Sequence, residues 1–368
     1  MRRLLLLCIG LLLIGSCIDR IEIKVPDSYS SQLVVDGVIT DEPGPYTVRL
    51  TKATRIEKFL EFSQEDVTQA NVTIIDNVGN SEVLTETDPG VYQTKENGLR
   101  GVIGREYSIK IETPDGKQFE SKPDKMYPVG EFDSLYYVLE TFQPINEPTK
   151  YGLRIYVDAT TDPSSSSYLR WRFTGIFEIN TRPELKGFVV AFTEPPECLR
   201  RPRQCAYDTP CICCKCWVTE YEEKPHLNDN QFVQNGKYRQ VEAGYVPLEY
   251  FPFQSKYRFE VKQMSLSKLA FDYWRIIKSQ KEGVASLFQP PTGKTRTNIY
   301  EKNGKTEVQG LFYASAVKTK QVYVTNADVI GTWRALIIPK WDCETGTIAE
   351  DCRLAFKRSS TQKPADWK

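Results

Sequence analysis

The sequence predicts a mainly β protein: an N-terminal immunoglobulin-like β-sandwich, then a larger β-rich domain with one capping helix and a Cys-rich, disulfide-stapled loop. Three observations lead there. Short runs rich in β-branched and aromatic residues recur at regular spacing, Gly-, Pro-, Asn- and Asp-containing turns punctuate them, and only one stretch holds a helical period.

The chain opens with Met1-Arg2-Arg3, an apolar run from Leu4 to Ile14, and Gly15-Ser16-Cys17. A cationic start, an apolar stretch of signal length and small residues at a cut make an export signal, and the run is too short to span a bilayer. The cysteine directly after the small pair resembles the lipobox of exported bacterial lipoproteins. Residues 1–16 are therefore expected to be removed, leaving Cys17 as the lipidated first residue; the alternative is an ordinary secretory cut. Two or three acyl chains, at roughly 0.8 kcal/mol per buried CH₂, anchor a protein far more firmly than one. Cys8 has almost no apolar run before it and is set aside. Residues 17–31, irregular and charged with Pro26, read as a lipid-anchored tether.

Removing sixteen residues from 368 leaves 352, long for one domain, so two are expected. Loss of Arg2 and Arg3 from 48 basic side chains leaves 46 against 48 acidic ones, a balance that argues against a nucleic-acid surface. No second long apolar segment follows the signal, and Tyr is the commonest aromatic, with 20 residues.

The sandwich is placed at residues 32–125. Its strands are expected at Leu33-Val34-Val35, Tyr46 to Leu50, Val72 to Ile75 and Tyr107 to Ile111, joined by turns at Asp41 to Gly44, Asn77 to Asn80, Asp88-Pro89-Gly90 and Pro114 to Lys117. The second domain is placed at residues 126–368. Tyr151 to Val157 and Tyr168 to Phe173 alternate apolar and polar positions there, with arginines on a face expected to be half-solvated. Gln309 to Ala314 and Gln321 to Val324 are read as later strands of the same domain. Between them, Ser267 to Gln280 carries Leu269, Tyr273, Ile276 and Ile277 on one stripe, with Ser265 or Ser267 to cap the start and Gly283 to stop it. This helix is expected to seal one end of the β domain.

Eight cysteines remain beyond Cys8 and Cys17, an even number in a chain sent to an oxidising compartment, so disulfides are expected. Cys198, Cys205, Cys211, Cys213, Cys214 and Cys216 cluster in an insert, 198–216, whose six cysteines could pair in fifteen ways. Cys343 and Cys352 flank a turn at Glu344 to Thr347, and their mutual pairing is the simplest one. A zinc or Cu(I) site is one alternative for Cys211 to Cys216, although the ligands crowd and no histidine lies near, and redox chemistry is another.

Catalytic patterns are few. His226 is the single histidine, in a loop context that suggests an exposed imidazole, and neither Gly-x-Ser-x-Gly nor His-Glu-x-x-His occurs. Gly293-Lys294-Thr295 resembles the end of a phosphate loop, but Phe288 stands where its first glycine belongs. Glu222-Glu223 and Glu350-Asp351 read as solvated neighbours, and Trp171, Trp217 and Trp274 as core anchors. No catalytic residue, metal or cofactor is assigned.

The lipobox, the Gln32-to-Asp36 strand, Cys216-Trp217, Tyr273-Trp274, Leu287-Phe288-Gln289-Pro290-Pro291 leading to Thr297-Asn298-Ile299, and Gly310 to Ala316 occur in an order that resembles domain-of-unknown-function family 4249, lipoproteins of Bacteroidota. Members are often encoded beside TonB-dependent outer-membrane receptors. The resemblance thus implies a non-catalytic outer-membrane lipoprotein, accessory to such a receptor in nutrient capture or uptake. Surface display is expected, although Arg20 and Ile21 separate Asp19 from Glu22 where the phylum's surface lipoproteins often carry an acidic run, which leaves the periplasmic face open. Two alternatives stand beside it: a structural or assembly subunit of an outer-membrane complex, and a surface hydrolase. The Tyr- and Trp-rich second domain is where a partner or ligand surface is expected.

Overall fold

The alternating patterns become strands with one face inward. In the computed structural model, which describes residues 32–53, 65–145, 147–161, 164–190, 197–229, 233, 235–283, 297–304, 306–341 and 343–368, Tyr107, Ile109 and Ile111 are buried while Glu106, Lys110 and Glu112 are exposed. Val72 and Ile74 do the same on a neighbouring strand.

The first part of the chain supplies β1 (Leu33–Thr40), β2 (Thr47–Lys52), β3 (Glu65–Asp66), β4 (Asn71–Asp76), β5 (Ser81–Val83), β6 (Thr85–Asp88), β7 (Val91–Gln93), β8 (Glu106–Glu112), β9 (Gln118–Ser121) and β10 (Asp124–Lys125). The second supplies β11 (Glu131–Phe142), β12 (Lys150–Thr160), β13 (Tyr168–Asn180), β14 (Gly187–Val190), β15 (Glu197–Arg200), β16 (Lys215–Tyr221), β17 (His226–Asp229), β18 (Lys237–Pro247) and β19 (Lys256–Leu266), then helix α1 (Lys268–Gly283). After it come β20 (Ile299–Glu301), β21 (Gln309–Ser315), β22 (Val317–Thr325), α2 (Asn326–Trp333), β23 (Lys340–Trp341), β24 (Glu344–Thr345), α3 (Cys352–Ala355) and β25 (Ser359–Ser360).

The protein is mainly β, with two sandwiches sharing one contiguous apolar core that runs from Leu33 to Cys352. In the first, a sheet ordered β21-β1-β2-β7-β6 packs with one ordered β20-β9-β8-β4-β5; β3 pairs with β2 and β10 with β8. In the second, β11-β12-β18 packs with β22-β19-β13-β16-β25, with Tyr137 of β11 and Phe173 of β13 both meeting Phe259 of β19 at about 6 Å between ring centroids.

The strand expected at Gln309 to Ala314 belongs elsewhere than its neighbours in sequence suggested. It runs parallel to β1, pairing Val35 with Gly310 and Gly37 with Phe312, so the chain returns to the first sandwich after α1. Gly310 makes that approach possible: its φ is +93°, and a Cβ there would lie 1.8 Å from the Val35 carbonyl oxygen. Parallel partners come from distant sequence, so local pattern identifies such a strand without saying where it docks.

Helix α1 forms where its period placed it. The Ser267 hydroxyl caps it by accepting the Ala270 N–H at 3.1 Å, and the helix is described as far as Gly283, so its expected stop lies at the limit of the described residues. Its most buried residues are Ala270 and Phe271, with Leu269, Tyr273 and Trp274 beside them; all pack on Leu311 and Tyr313 of β21 and Met264 and Leu266 of β19. The cap thus sits over the seam between the two sandwiches. Unlike α1, α2 was not foreseen, although Thr325-Asn326-Ala327-Asp328 is a capping-box sequence and both reciprocal bonds form.

The cysteine insert is stapled, but not as a closed set. Cys205 bonds Cys213 and Cys211 bonds Cys214, whereas Cys216 leaves the cluster to bond Cys352, 136 residues away. The expected Cys343–Cys352 pair is therefore replaced. Cys352 starts α3 and sits in the core against β16, next to Cys216, and Cys343 is disulfide-bonded without it. Cys198 lies in β15; Cys17 and the tether, Gly293 to Thr295 and the family segment Leu287 to Pro291 lie outside the described residues.

Candidate functional site

The three-stranded sheet β11-β12-β18 buries one face and offers the other to solvent. Alternation sends Leu153, Ile155 and Val157 inward and Gly152, Arg154, Tyr156 and Asp158 outward on β12. Register then lines up Phe142, Glu140, Val138, Tyr136 and Ser134 of β11 on one side and Pro247, Tyr245 and Glu242 of β18 on the other. Outward positions of a half-solvated sheet are ordinarily polar, yet here Phe142 is 63 % exposed, Tyr245 44 % and Val138 41 %. Tyr136 and Tyr156 add a pair of rings 5.8 Å apart.

Arg154 stands at the centre of this face. Its Nε donates to Glu140 at 2.8 Å and its Nη1 to Glu242 at 2.6 Å, bridging the two outer strands, while the Tyr245 ring lies 5.7 Å from the guanidinium. The bond to Arg154 holds the Glu140 carboxyl below its ordinary range, and the two carboxylates raise the guanidinium further. Tyr245 lies flat because Gly152 has no side chain: a Cβ there would fall 2.1 Å from the tyrosine oxygen.

At the end of the face a groove of about 720 Å³ opens between Tyr151, Tyr245, Leu248, Tyr250 and Phe251 on one wall and the segment around Leu336 and Ile337 on the other. Trp333 of α2, behind the groove, ties the second wall to the first. Its ring stacks on Tyr250 at 4.7 Å and its indole N–H donates to the Tyr250 carbonyl at 2.8 Å, so the helix cap and the groove are one structure. Ile337 and Ile338, at 77 % and 54 % exposure, stand at the rim. Such a lining suits the burial of planar or apolar surface.

The other residues singled out from sequence lie off this face, His226 nearest to it, beside Glu242. Trp171 is fully buried and donates to Gln263 at 3.1 Å, Trp217 is buried, and Trp274 covers the Arg170 guanidinium at 3.7 Å. The half-solvated reading of β13 holds at the exposed Arg172 but not at Arg170: the helix α1 covers it, and it pairs with Glu222, which also accepts the Phe173 N–H. Glu222 is thus not a solvated acid. Nor is Glu350, which pairs with Lys186 and with Arg203 at 3.0 Å, nor Asp351, which caps α3 and holds Arg353. His226 is half-buried on β17 rather than in an exposed loop, and burial lowers its pKa. Cys205, Cys213 and Asp351 converge within 4.8 Å, but the two sulfurs are bonded to each other and offer no thiolate to a metal.

Sequence reasoning named the second domain for this role but none of these lining residues. The signal was present in Tyr151-Gly152, where a glycine interrupts an alternating strand. No helix among the described residues is long and apolar enough to cross a membrane. Residues 18–321 match the family described as a domain of unknown function (DUF4249), and the chain belongs to that family. No curated protein matches it.

Proposed function

We propose that this protein is a non-catalytic outer-membrane lipoprotein, anchored through Cys17, that serves a TonB-dependent receptor in capturing or admitting a nutrient, with the outer face of β11-β12-β18 and its adjoining groove as the contact surface. The observation that carries the reading is that face: exposed aromatic and aliphatic side chains gathered where a free sheet would be polar; the first seventeen residues, which resemble a lipoprotein signal, support the anchor. Groove walls of tyrosine, leucine and proline, with Lys150 and Glu249 among them, bury planar or apolar surface well.

The test is a mild-detergent purification of the tagged, lipidated protein from its own membranes, with mass spectrometry of whatever accompanies it and of the lipid on Cys17. A stoichiometric receptor that is lost on Tyr245→Asp supports the reading. Assembly-machinery subunits favour a structural role, and a protein that is recovered alone and unlipidated refutes it.

A further inference from the structure

Both edges of the sheet that carries the face are free of a further strand among the described residues, but they are not alike. An open edge exposes a row of unpaired backbone N–H and C=O groups, and proteins blunt such edges with bulges and lysines. The β18 edge is interrupted by two register shifts, and Gln240 adopts a φ of +53°. The first residues of β11 are closed in the same way: the register shifts between Phe132 and Ser134, Lys320 donates to the Asp133 carbonyl at 2.9 Å, and Lys318 pairs with Glu131 at 2.5 Å. From Ser134 to Phe142 the pairing with β12 is unbroken and the devices stop, just where the exposed Val138, Leu139 and Phe142 begin.

We infer that the edge of β11 from Ser134 to Phe142 accepts an extended segment of a protein partner as a fourth strand of this sheet, an inference that rests on the partner-binding reading above. Charge selects the chemistry of that segment. On the outer face, four carboxylates (Asp133, Glu140, Asp158 and Glu242) meet two guanidinium groups, Arg154 and Arg239, and the Lys320 ammonium beside Asp133, which leaves an excess of negative charge, while Lys150 at the strand end is already paired with Glu147. Asp158 accepts from the Ser134 hydroxyl at 3.0 Å and the Gln240 N–H at 2.7 Å. An incoming strand is therefore complementary when it carries an apolar residue beside Val138 and basic residues beside Ser134 and Glu140. Those positions are six residues apart, about 20 Å along a strand.

The experiment follows backbone amide exchange in the detergent-solubilised lipoprotein, alone and in complex with whatever protein partner co-purifies, and with a Thr/Val-rich decapeptide bearing lysine at its second and eighth positions. Expected are slowing by about tenfold or more, in both complexes, of those alternate amides of residues 134–142 that face away from β12, loss of both complexes on Val138→Lys, and their retention on Val138→Glu, with unchanged melting of both variants. Phe142→Lys provides a second test if Val138→Lys unfolds. A partner that binds without slowing these amides, or equally well to Val138→Lys, overturns the edge pairing and leaves the partner reading standing. Absence of any partner refutes that reading, and the peptide then decides the edge alone: no protection by it overturns the inference. Protection that appears with protein concentration alone marks a second copy as the occupant and also overturns it.

Discussion

Replacing both Cys216 and Cys352 by alanine should destabilise the protein more than removing either of the other two described bridges. Each disulfide restricts the unfolded chain according to the loop it closes, and the loops here differ greatly: 136 residues for Cys216–Cys352, 8 for Cys205–Cys213 and 3 for Cys211–Cys214. The chain-entropy relation converts these to about 5, about 2.5 and about 2 kcal/mol. The first value is a ceiling, because unfolded chains retain some structure and bridges often deliver less than the chain-entropy relation gives. It is still a large share of the roughly 5–15 kcal/mol by which domains are stable. The loss should also be felt locally. The bridge holds α3 and β25 on β16, where the Cys352 N–H donates to the Cys213 carbonyl at 3.1 Å and Trp217 pairs with Ser360. Guanidinium unfolding of the oxidised protein, read with m as a check on the unfolded state, measures the first effect, and amide exchange over residues 348–361 the second. A Cys216→Ala/Cys352→Ala variant no less stable than Cys211→Ala/Cys214→Ala would refute the loop argument.

Three further outcomes are expected. Arg170→Met leaves Glu222 buried without its cation and should cost about 3–5 kcal/mol, part of it restored by adding Glu222→Gln; a loss below about 1 kcal/mol in thermal unfolding would show the pair to be incidental. Gly152→Val drives a Cβ against the Tyr245 oxygen, the far end of a side chain that can swing away, so stability should change by less than about 1 kcal/mol while capture of the partner falls; unchanged capture counts against the aromatic face. Burial depresses the folded pKa of His226, with Glu222 and Glu242 opposing and Lys278 and Lys224 assisting. Its unfolded pKa is about 6.5, so its contribution is complete above that pH and is lost as pH falls through the lower folded value. His226→Gln should remove this dependence from a series of melting curves, and a series that is flat in the wild type would contradict the burial argument.

Local pattern was sufficient for the β class, the four early strands, the turns at Gly79, Gly90 and Gly116, and the capped helix from Ser267 to Gly283, because alternation, turn chemistry and the helical period are properties of neighbouring residues. Membership of the family was legible in the order of its segments. Three matters were decided only in three dimensions. β21 reads as a strand anywhere, but its parallel docking on β1 depends on a surface built more than 270 residues earlier, and on the approach that Gly310 permits. Cysteine spacing counts partners without choosing them, and Cys216 found Cys352 only because α3 folds back onto β16. The polarity of a sheet face likewise depends on what covers it: Arg170 and Arg154 occupy similar alternating contexts, yet α1 covers the first, while the second stays at the surface, between two carboxylates, at the centre of the exposed face. Sequence carries each residue's preference for water or burial; which preferences are met depends on contacts between distant segments.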